Sequence, residues 1–402
     1  MSRPALPPGI WALGAVSLLT DLSTELIHVL LPVYLVVVLG ASALQLGLIE
    51  GAAEATASIV KVFSGWLSDR LGRRKPLTLF GYAVAMLTKP IFPLAGSVGW
   101  FAAARCLDRV GKGIRGAPRD ALIADLTPAA QRGAAFGLRQ SLDTTGAFLA
   151  PILAIVLMWA SGDDYRLVFW VAVIPAVLAV VVLAVGVHEP PRPIAAEVER
   201  QGVRLSELRQ LGRPFAAAMA FTLMIALARF GEAFLVLRAS TAGLAPTWVP
   251  VVLMVMNLVY ALSAYPAGLM ADRIGRRGLL FGSIGALIVA DLVLAVADPI
   301  WAVLVGVGFW GLHMGLSQGL LTAWVADVVP PGLRGTAFGV FHLTVGIGAL
   351  LGNVAAGALW HMAGPTALFL AAATLALLAL PIGWRLARVG PVVAAPLERT
   401  PR

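Results

Sequence analysis

"GWLSDRLGRRKPL" spans residues 65–77, and "GLMADRIGRRGLL" spans residues 268–280. In the first stretch Asp69, Arg70, Arg73, Arg74 and Lys75 fill five of seven consecutive positions, in a chain that is only 13% charged. Long apolar runs flank both stretches. Soluble globular domains carry about 25% charged residues. At 59% hydrophobic and a mean hydropathy of +0.88, this chain suits the hydrocarbon of a bilayer better than water. The charged stretches are then loops between membrane helices.

Working outward, the apolar runs predict twelve membrane helices, each near the ~20 residues needed to span. They fall at 11–39, 46–68, 77–96, 99–126, 131–160, 166–187, 213–238, 247–270, 277–297, 299–328, 334–362 and 364–386. These are spans 1 to 12. "MSRPALPPGI" shows no clear cleavage site, so span 1 is expected to be a retained anchor. The single Cys106 excludes an internal disulfide and any multi-cysteine metal site, and reads as a small helix-packing residue.

The loops alternate in charge. "GASALQ", "GSVG", "STAGLAPT" and "MAG" hold no Lys or Arg, whereas the turns at 69–75 and 272–277 are basic. Arg132 and Arg334 mark two further loops on the basic side. "SGDDYR" places its Arg on the other side, offset by two Asp. The positive-inside rule makes the basic side cytoplasmic, with both termini there, in the inner membrane. It also accounts for the net charge of +9 without nucleic acid.

Residues 188–213 are polar, Pro-containing and charge-mixed, which reads as a cytoplasmic linker. The predicted units are a six-helix bundle at 1–187, the linker at 188–213, a second bundle at 214–390 and a tail at 391–402. The halves repeat. "DRLGRR" at 69–74 returns as "DRIGRR" at 272–277, an offset of 203, and "ADLTPAAQRGAAFG" at 124–137 returns as "ADVVPPGLRGTAFG" at 326–339, an offset of 202. Six-helix repeats build many secondary transporters, with the substrate site between them near the midplane.

At these residues the chain resembles the major facilitator superfamily of transporters. Gly65, Leu67, Asp69, Arg70, Gly72, Arg73, Arg74 and Leu77 match its signature between spans 2 and 3, and Gly268, Asp272, Arg273, Gly275, Arg276 and Arg277 keep most of it in the second half. The resemblance implies an all-α membrane protein of twelve transmembrane helices in two pseudo-symmetric bundles. It also implies a conformational latch at Gly65, Asp69, Arg70, Gly72, Arg73, Asp272, Arg273 and Gly275. Gly65 and Gly72 suit close approach and a tight turn. "GAFLAPILA", with Gly146 and Pro151, resembles the superfamily's antiporter motif and implies export in exchange for protons; Pro151 would bend span 5. Arg109 and Gly113 resemble an R-x-x-x-G pattern tied to proton transfer, with Lys112 where Gln is usual.

An ionisable group inside a membrane costs at least ~2.5 kcal/mol, so each one needs a reason. Span 1 holds Asp21, Glu25 and His28 on one face; span 2 holds Glu50 and Glu54; span 5 holds Arg139 and Asp143; span 7 holds Arg229 and Glu232. Span 4 is densest. Arg105, Asp108, Arg109, Lys112, Arg115 and Arg119 fall within roughly 120° of one helical face. This stripe must face the path or the acids of spans 1, 2 and 5. At the 202 offset, Arg109 maps to Gly311 and Lys112 to Met314, so the fold does not require the stripe. The polar machinery is expected in the N-terminal half, opposite a mostly apolar C-terminal wall.

Asp21, Glu25, Glu54 and Asp143 are the proton-carrying candidates, Glu25 and Asp21 foremost. His28, Arg105, Asp108, Arg109, Lys112, Arg139, Arg229 and Glu232 are candidates for the substrate path. His28, His313, His342 and His361 are scattered along the chain and read as hydrogen-bonded structure. Asp21, Glu25 and His28 together could hold a divalent cation, leaving metal cargo open. The expected protein is a monomeric exporter of a small molecule or drug, exchanged for protons by alternating access and driven by the proton gradient without a cofactor. Efflux of a metal or an organic anion is the alternative cargo, and a transport-silent receptor or scaffold the alternative class. No nucleophile elbow, Walker-type loop or metal-ligand cluster suggests an enzyme.

Overall fold

The computed structural model describes residues 6–71, 73–128, 132–189, 212–274, 276–317 and 334–387. Gly72, Gly275 and the side chains of Asp69, Arg70, Asp272 and Arg273 lie outside the described residues, as do most of the 188–213 linker and the 391–402 tail. Most of the expected latch is therefore not described.

Every regular element among the described residues is helical. Span 1 is α1 (Pro8–His28), continued by α2 (Leu31–Val33) and a π-turn at Tyr34–Val38. Then come α3 (Ala43–Leu71), α4 (Lys75–Thr88), α5 (Ile91–Leu94), α6 (Val98–Leu126), α7 (Arg132–Ser161) and α8 (Tyr165–Gly186). The second half holds α9 (Gly212–Ala228), α10 (Ala233–Thr241), α11 (Val251–Ile274), α12 (Arg276–Val296), α13 (Ile300–Ser317) and α14 (Arg334–Ala387). Inside α14, Gly364 has φ 78°, a left-handed value that separates spans 11 and 12 where the sequence puts the boundary.

Local chemistry sets the helix starts. Ser42 and Gln45 form a reciprocal capping box on α3, with Ser42 N donating to Gln45 Oε1 at 2.8 Å and Gln45 N to Ser42 Oγ at 3.2 Å. Asp164 caps α8 by accepting from Arg166 N and Leu167 N. At the basic turn, Glu189 accepts from the backbone N–H groups of Arg74 and Lys75 at 2.7 and 3.0 Å, and Arg74 pairs with Asp125 at 2.8 Å. These contacts fasten the start of α4 to the end of α6 and to the chain after α8. Arg73 is exposed. A Cβ on Gly65 would stand 3.4 Å from Ala117 Cβ, an ordinary contact, so packing does not demand glycine there.

Nine stretches among the described residues are long and apolar enough to cross a bilayer, and one of them, Val340–Trp384, holds two spans. The other two predicted passes are α3 and α6, of 29 residues each. They have the length and miss on composition, because they carry the buried charges.

The repeat is visible as repeated packing. In the first half α1 packs on α7 and α8, α3 on α6, and α4 on α6 and α8. In the second, α9 packs on α14, α11 on α13, and α12 on α13 and α14. Gly146 lets α7 approach α1 so closely that a Cβ would overlap the Leu18 carbonyl; at the 202 offset, Gly348 gives α14 the same closeness to Ala226 of α9. Pro151 lies inside α7.

The halves meet where α3 packs on α14, α7 on α11 and α2 on α10. The α3–α14 seam is tightest toward the end away from the basic turns. A Cβ on Gly47 would overlap the Asn353 carbonyl there. Thr247 Oγ1 donates to Asp163 Oδ1 at 2.5 Å between the loops at that same end. That end is closed.

Gly47→Leu is expected to wedge the seam open. In a Cys106→Ala background, Asp163→Cys and Thr247→Cys should be joined readily by a short bis-maleimide. Adding Gly47→Leu should cut that yield about tenfold, since overpacking of roughly 1–3 kcal/mol falls on the closed state alone.

Candidate functional site

Between the halves lies a cavity of about 550 Å³. Its N-terminal wall is Glu25, His28, Glu50, Glu54, Arg109 and Lys112, all ionisable. Its C-terminal wall is larger and mostly apolar or aromatic, including Phe230, Ile284, Trp310 and Phe341, with Arg229, Glu232, His313 and His342 as its ionisable members. Leu280, Phe341 and His342 lie near the starts of α12 and α14, so the cavity extends toward the basic turns, opposite the closed end.

The wall charges are ordered by pairing. Arg105, 1% exposed, grips Glu50 with Nε and Nη2 at 2.9 Å each. A bidentate guanidinium–carboxylate pair is among the strongest arrangements for such groups. Arg109 Nη2 stands 3.4 Å from Glu54 Oε1. His28 bridges two acids, with Nδ1 3.3 Å from Glu25 and Nε2 3.8 Å from Glu50. Behind this wall Lys89 donates to Asp108 at 2.9 Å and to Thr24 at 3.3 Å. Arg115 stacks over Tyr82, 4.6 Å from the ring centroid, and Arg119 pairs with Asp120 at 2.9 Å.

The α6 stripe thus avoids lipid, with one correction to its expected partners. Among the described residues its ion-pair partners on other helices come from span 2 (Glu50, Glu54) and from Lys89 at the end of α4, and none from span 1 or 5. Packing explains this: α6 lies along α3 and α4, and barely meets α1 or α7. At the position matching Arg109, Gly311 is so close to α11 that a Cβ would overlap the Met256 carbonyl. One repeat uses a charge pair where the other uses backbone contact.

Of the residues singled out from sequence, Glu25, His28, Glu54, Arg109, Lys112, Arg229 and Glu232 converge on the cavity. Arg105 and Asp108 stand behind it in ion pairs. Asp21, Arg139 and Asp143 do not line it. Arg139 pairs with Asp143 at 3.5 Å, and the charges facing Asp21 are Asp143, Glu25, Lys112 and Arg115. Asp21 is thus not part of the cavity lining that holds Glu25 and His28, and among the described residues no three His, Cys, Asp or Glu gather to hold a metal ion.

Three features are not apparent from one-helix patterns. His28, His313 and His342 are not scattered: all three line the cavity, while His361 is exposed elsewhere. Span 7 is broken between α9 and α10, so Arg229–Glu232 is non-helical. Asn353 satisfies that break, its Oδ1 accepting from Gly231 N at 2.9 Å. Irregular backbone at membrane depth is tolerated where it lines a cavity, and broken helices are common at transporter sites. Lys89 was signalled by a lone charge inside span 3, but its partner lies on another helix.

The family description Major Facilitator Superfamily matches residues 13–256 and 233–401. The chain belongs to the major facilitator superfamily. A relative, an uncharacterized MFS-type transporter of Methanocaldococcus jannaschii, is 29% identical over 384 residues, covering 93% of each chain. The cis,cis-muconate transport protein of Acinetobacter baylyi is 28% identical over 335 residues, covering 77% of each. The crystal structure of the nucleoside transporter NupG superposes with a TM-score of 0.76 at 15% identity, covering 94% of this chain and 98% of that one, a likeness of fold. The protein is a multi-pass secondary transporter of this superfamily and not an enzyme.

Removing one member of a buried ion pair strands the other, at about 3–5 kcal/mol. Arg105→Met is therefore expected to lower the unfolding temperature of the transporter in detergent markedly. Glu50→Gln combined with Arg105→Met should recover most of the loss, read by tryptophan-fluorescence melting.

Proposed function

We propose that this transporter is a proton-driven exporter whose cargo is a small organic anion. The carrying observation is the inventory of unpaired charge at the cavity. Glu25, Glu50 and Glu54 each meet a basic or imidazole partner. Among the described residues no ion pair within 4 Å engages Lys112 on one half, Arg229 on the other, or the acid Glu232 near it; all three line the cavity, which leaves the cations Lys112 and Arg229 in excess. A carboxylate between them would touch both bundles at once, as cargo must if it is to couple their rocking. Phe230, Trp310 and Phe341 offer faces to an apolar body. The muconate relative supports an acid as cargo.

Glu25 is the proton carrier in this reading, because it lines the cavity beside His28 whereas Asp21 and Asp143 do not. Cargo arriving at Lys112 would change the field on Glu25 and so couple the two. With the basic turns on the cytoplasmic side, the cavity opens to the cytoplasm, the loading side for an exporter. The Gly146–Pro151 stretch of α7 supports exchange with protons. A drug lacking a carboxylate would leave Lys112 and Arg229 without a role.

Proteoliposomes with an imposed pH gradient test this with benzoate, muconate, neutral benzamide and a divalent metal. Organic-anion flux that follows the gradient is the expected result, and Lys112→Ala or Arg229→Ala should raise its KM about tenfold. Glu25→Gln should keep downhill exchange and lose the response to the gradient. Wild-type pH dependence in that variant would remove Glu25 from the mechanism, and flux of benzamide or metal alone would overturn the anion reading.

A further inference from the structure

The two repeats hold a buried polar pair at matching positions, and only one of the two is satisfied. In the first half the pair is Lys89, just past α4, with Asp108 of α6 at 2.9 Å. An offset of 202 residues carries Lys89 to Asp291 on α12 and Asp108 to Trp310 on α13. The structure packs α12 on α13 as it packs α4 on α6. The second repeat thus keeps a polar pair at this place and reverses its polarity. An acid stands where the lysine was, and an indole where the acid was.

Asp291 is 0% exposed, and neither carboxylate oxygen has a hydrogen-bond partner. Trp310 is 1% exposed, and its Nε1 has no partner either. The polar group that faces Asp291 is this indole; among the described residues no charged side chain faces it from α11, α13 or α14. Arg238, which reaches the end of α12, donates to the Leu294 and Ala297 carbonyls. An ionised carboxylate with neither donor nor counter-charge is what a bilayer-buried bundle excludes, whereas a neutral acid is accommodated.

Trp310 connects this site to the cavity that it lines. Its ring stands 6.0 Å from Phe230 and 6.4 Å from His313, whose Nε2 also lacks a partner. An indole N–H only donates. It can therefore serve a charged Asp291, at the cost of shifting a side chain of the cavity wall.

We propose that Asp291 holds a proton in this conformation and releases it to water when the bundles rock to the opposite opening, the Trp310 N–H then turning to the bared carboxylate. The proposal rests on the proton-driven reading above. It adds a second proton site, in the half of the chain that otherwise supplies wall, and makes Trp310 the link to the cargo.

The spectroscopic arms of the test need no cargo, and the transport arm uses benzoate. Full-length protein in liposomes is examined by infrared difference spectroscopy during a pH jump. Wild type should lose the carbonyl band of a protonated carboxylic acid; Asp291→Asn should lack that change, Asp291→Glu should regain it, and Asp298→Asn, on an exposed loop residue, should keep it. The emission assigned to Trp310, as wild type minus Trp310→Phe, should follow the same titration and become pH-independent with Asp291→Asn. With benzoate as cargo, Asp291→Asn should reduce gradient-driven accumulation about tenfold while exchange persists. An unchanged band or an unchanged Trp310 response in Asp291→Asn would overturn the proposal. So would a gradient-driven wild type whose Asp291→Asn variant keeps its drive. A wild type that shows the Asp291 band but ignores the gradient would overturn the proton-driven reading, and this proposal with it.

Discussion

A charge inside a bilayer must find a counter-charge or water, and the Arg105–Glu50 pair is the point at which this chain meets that demand most completely. Both partners are buried, and two parallel N–H donors at 2.9 Å leave the carboxylate satisfied. Arg109–Glu54 and Lys89–Asp108 repeat the solution on neighbouring turns of α6. Together they make α6 a strap that holds α3 and α4. The charges that would be hardest to hide in lipid thereby order the N-terminal bundle and fix where its cavity face lies. Among the described residues Lys112 of this strap has no ion-pair partner, and it lines the cavity.

The C-terminal half reaches the same packing with other means. Gly311 brings α13 into backbone contact with α11 where the first half uses the Arg109 charge pair, while Gly348 keeps the close approach that Gly146 makes. Its cavity wall is aromatic, and its backbone breaks at Arg229–Glu232 with Asn353 closing the open N–H of Gly231. The fold needs close small-residue seams, and charge is laid over it in one repeat more than the other. This asymmetry separates what holds the bundles together from what would act on cargo.

How much of this was legible in the sequence follows from the range of the forces involved. The passes, the repeat and the α6 stripe were legible, because hydrocarbon thickness fixes span length and membrane cost makes every charge conspicuous. The break at Gly364 was legible for the same reason. The partners of the stripe were only half legible: periodicity tells which face a residue is on, and helix rotation and tilt decide what that face meets. That is why Lys89 took Asp108 and Asp21 fell outside the cavity. His28, His313 and His342 come from spans 1, 10 and 11, and no single-helix pattern can show that they converge. The Gly47–Asn353 seam is likewise a relation between halves, and the juxtaposition of Asp291 and Trp310 a relation between two helices of one half.

The central claim is that α6 turns its charged row inward, to partners and to an aqueous cavity open on the side of the basic turns. Thiol reactivity at position 112 tests it most directly. In a Cys106→Ala background, Lys112→Cys should react with a membrane-impermeant maleimide added on the basic-turn side, and not from the opposite side, while the closed end stays crosslinked. A thiol at 112 that reacts only with lipid-soluble reagents, or equally from the far side, would contradict it.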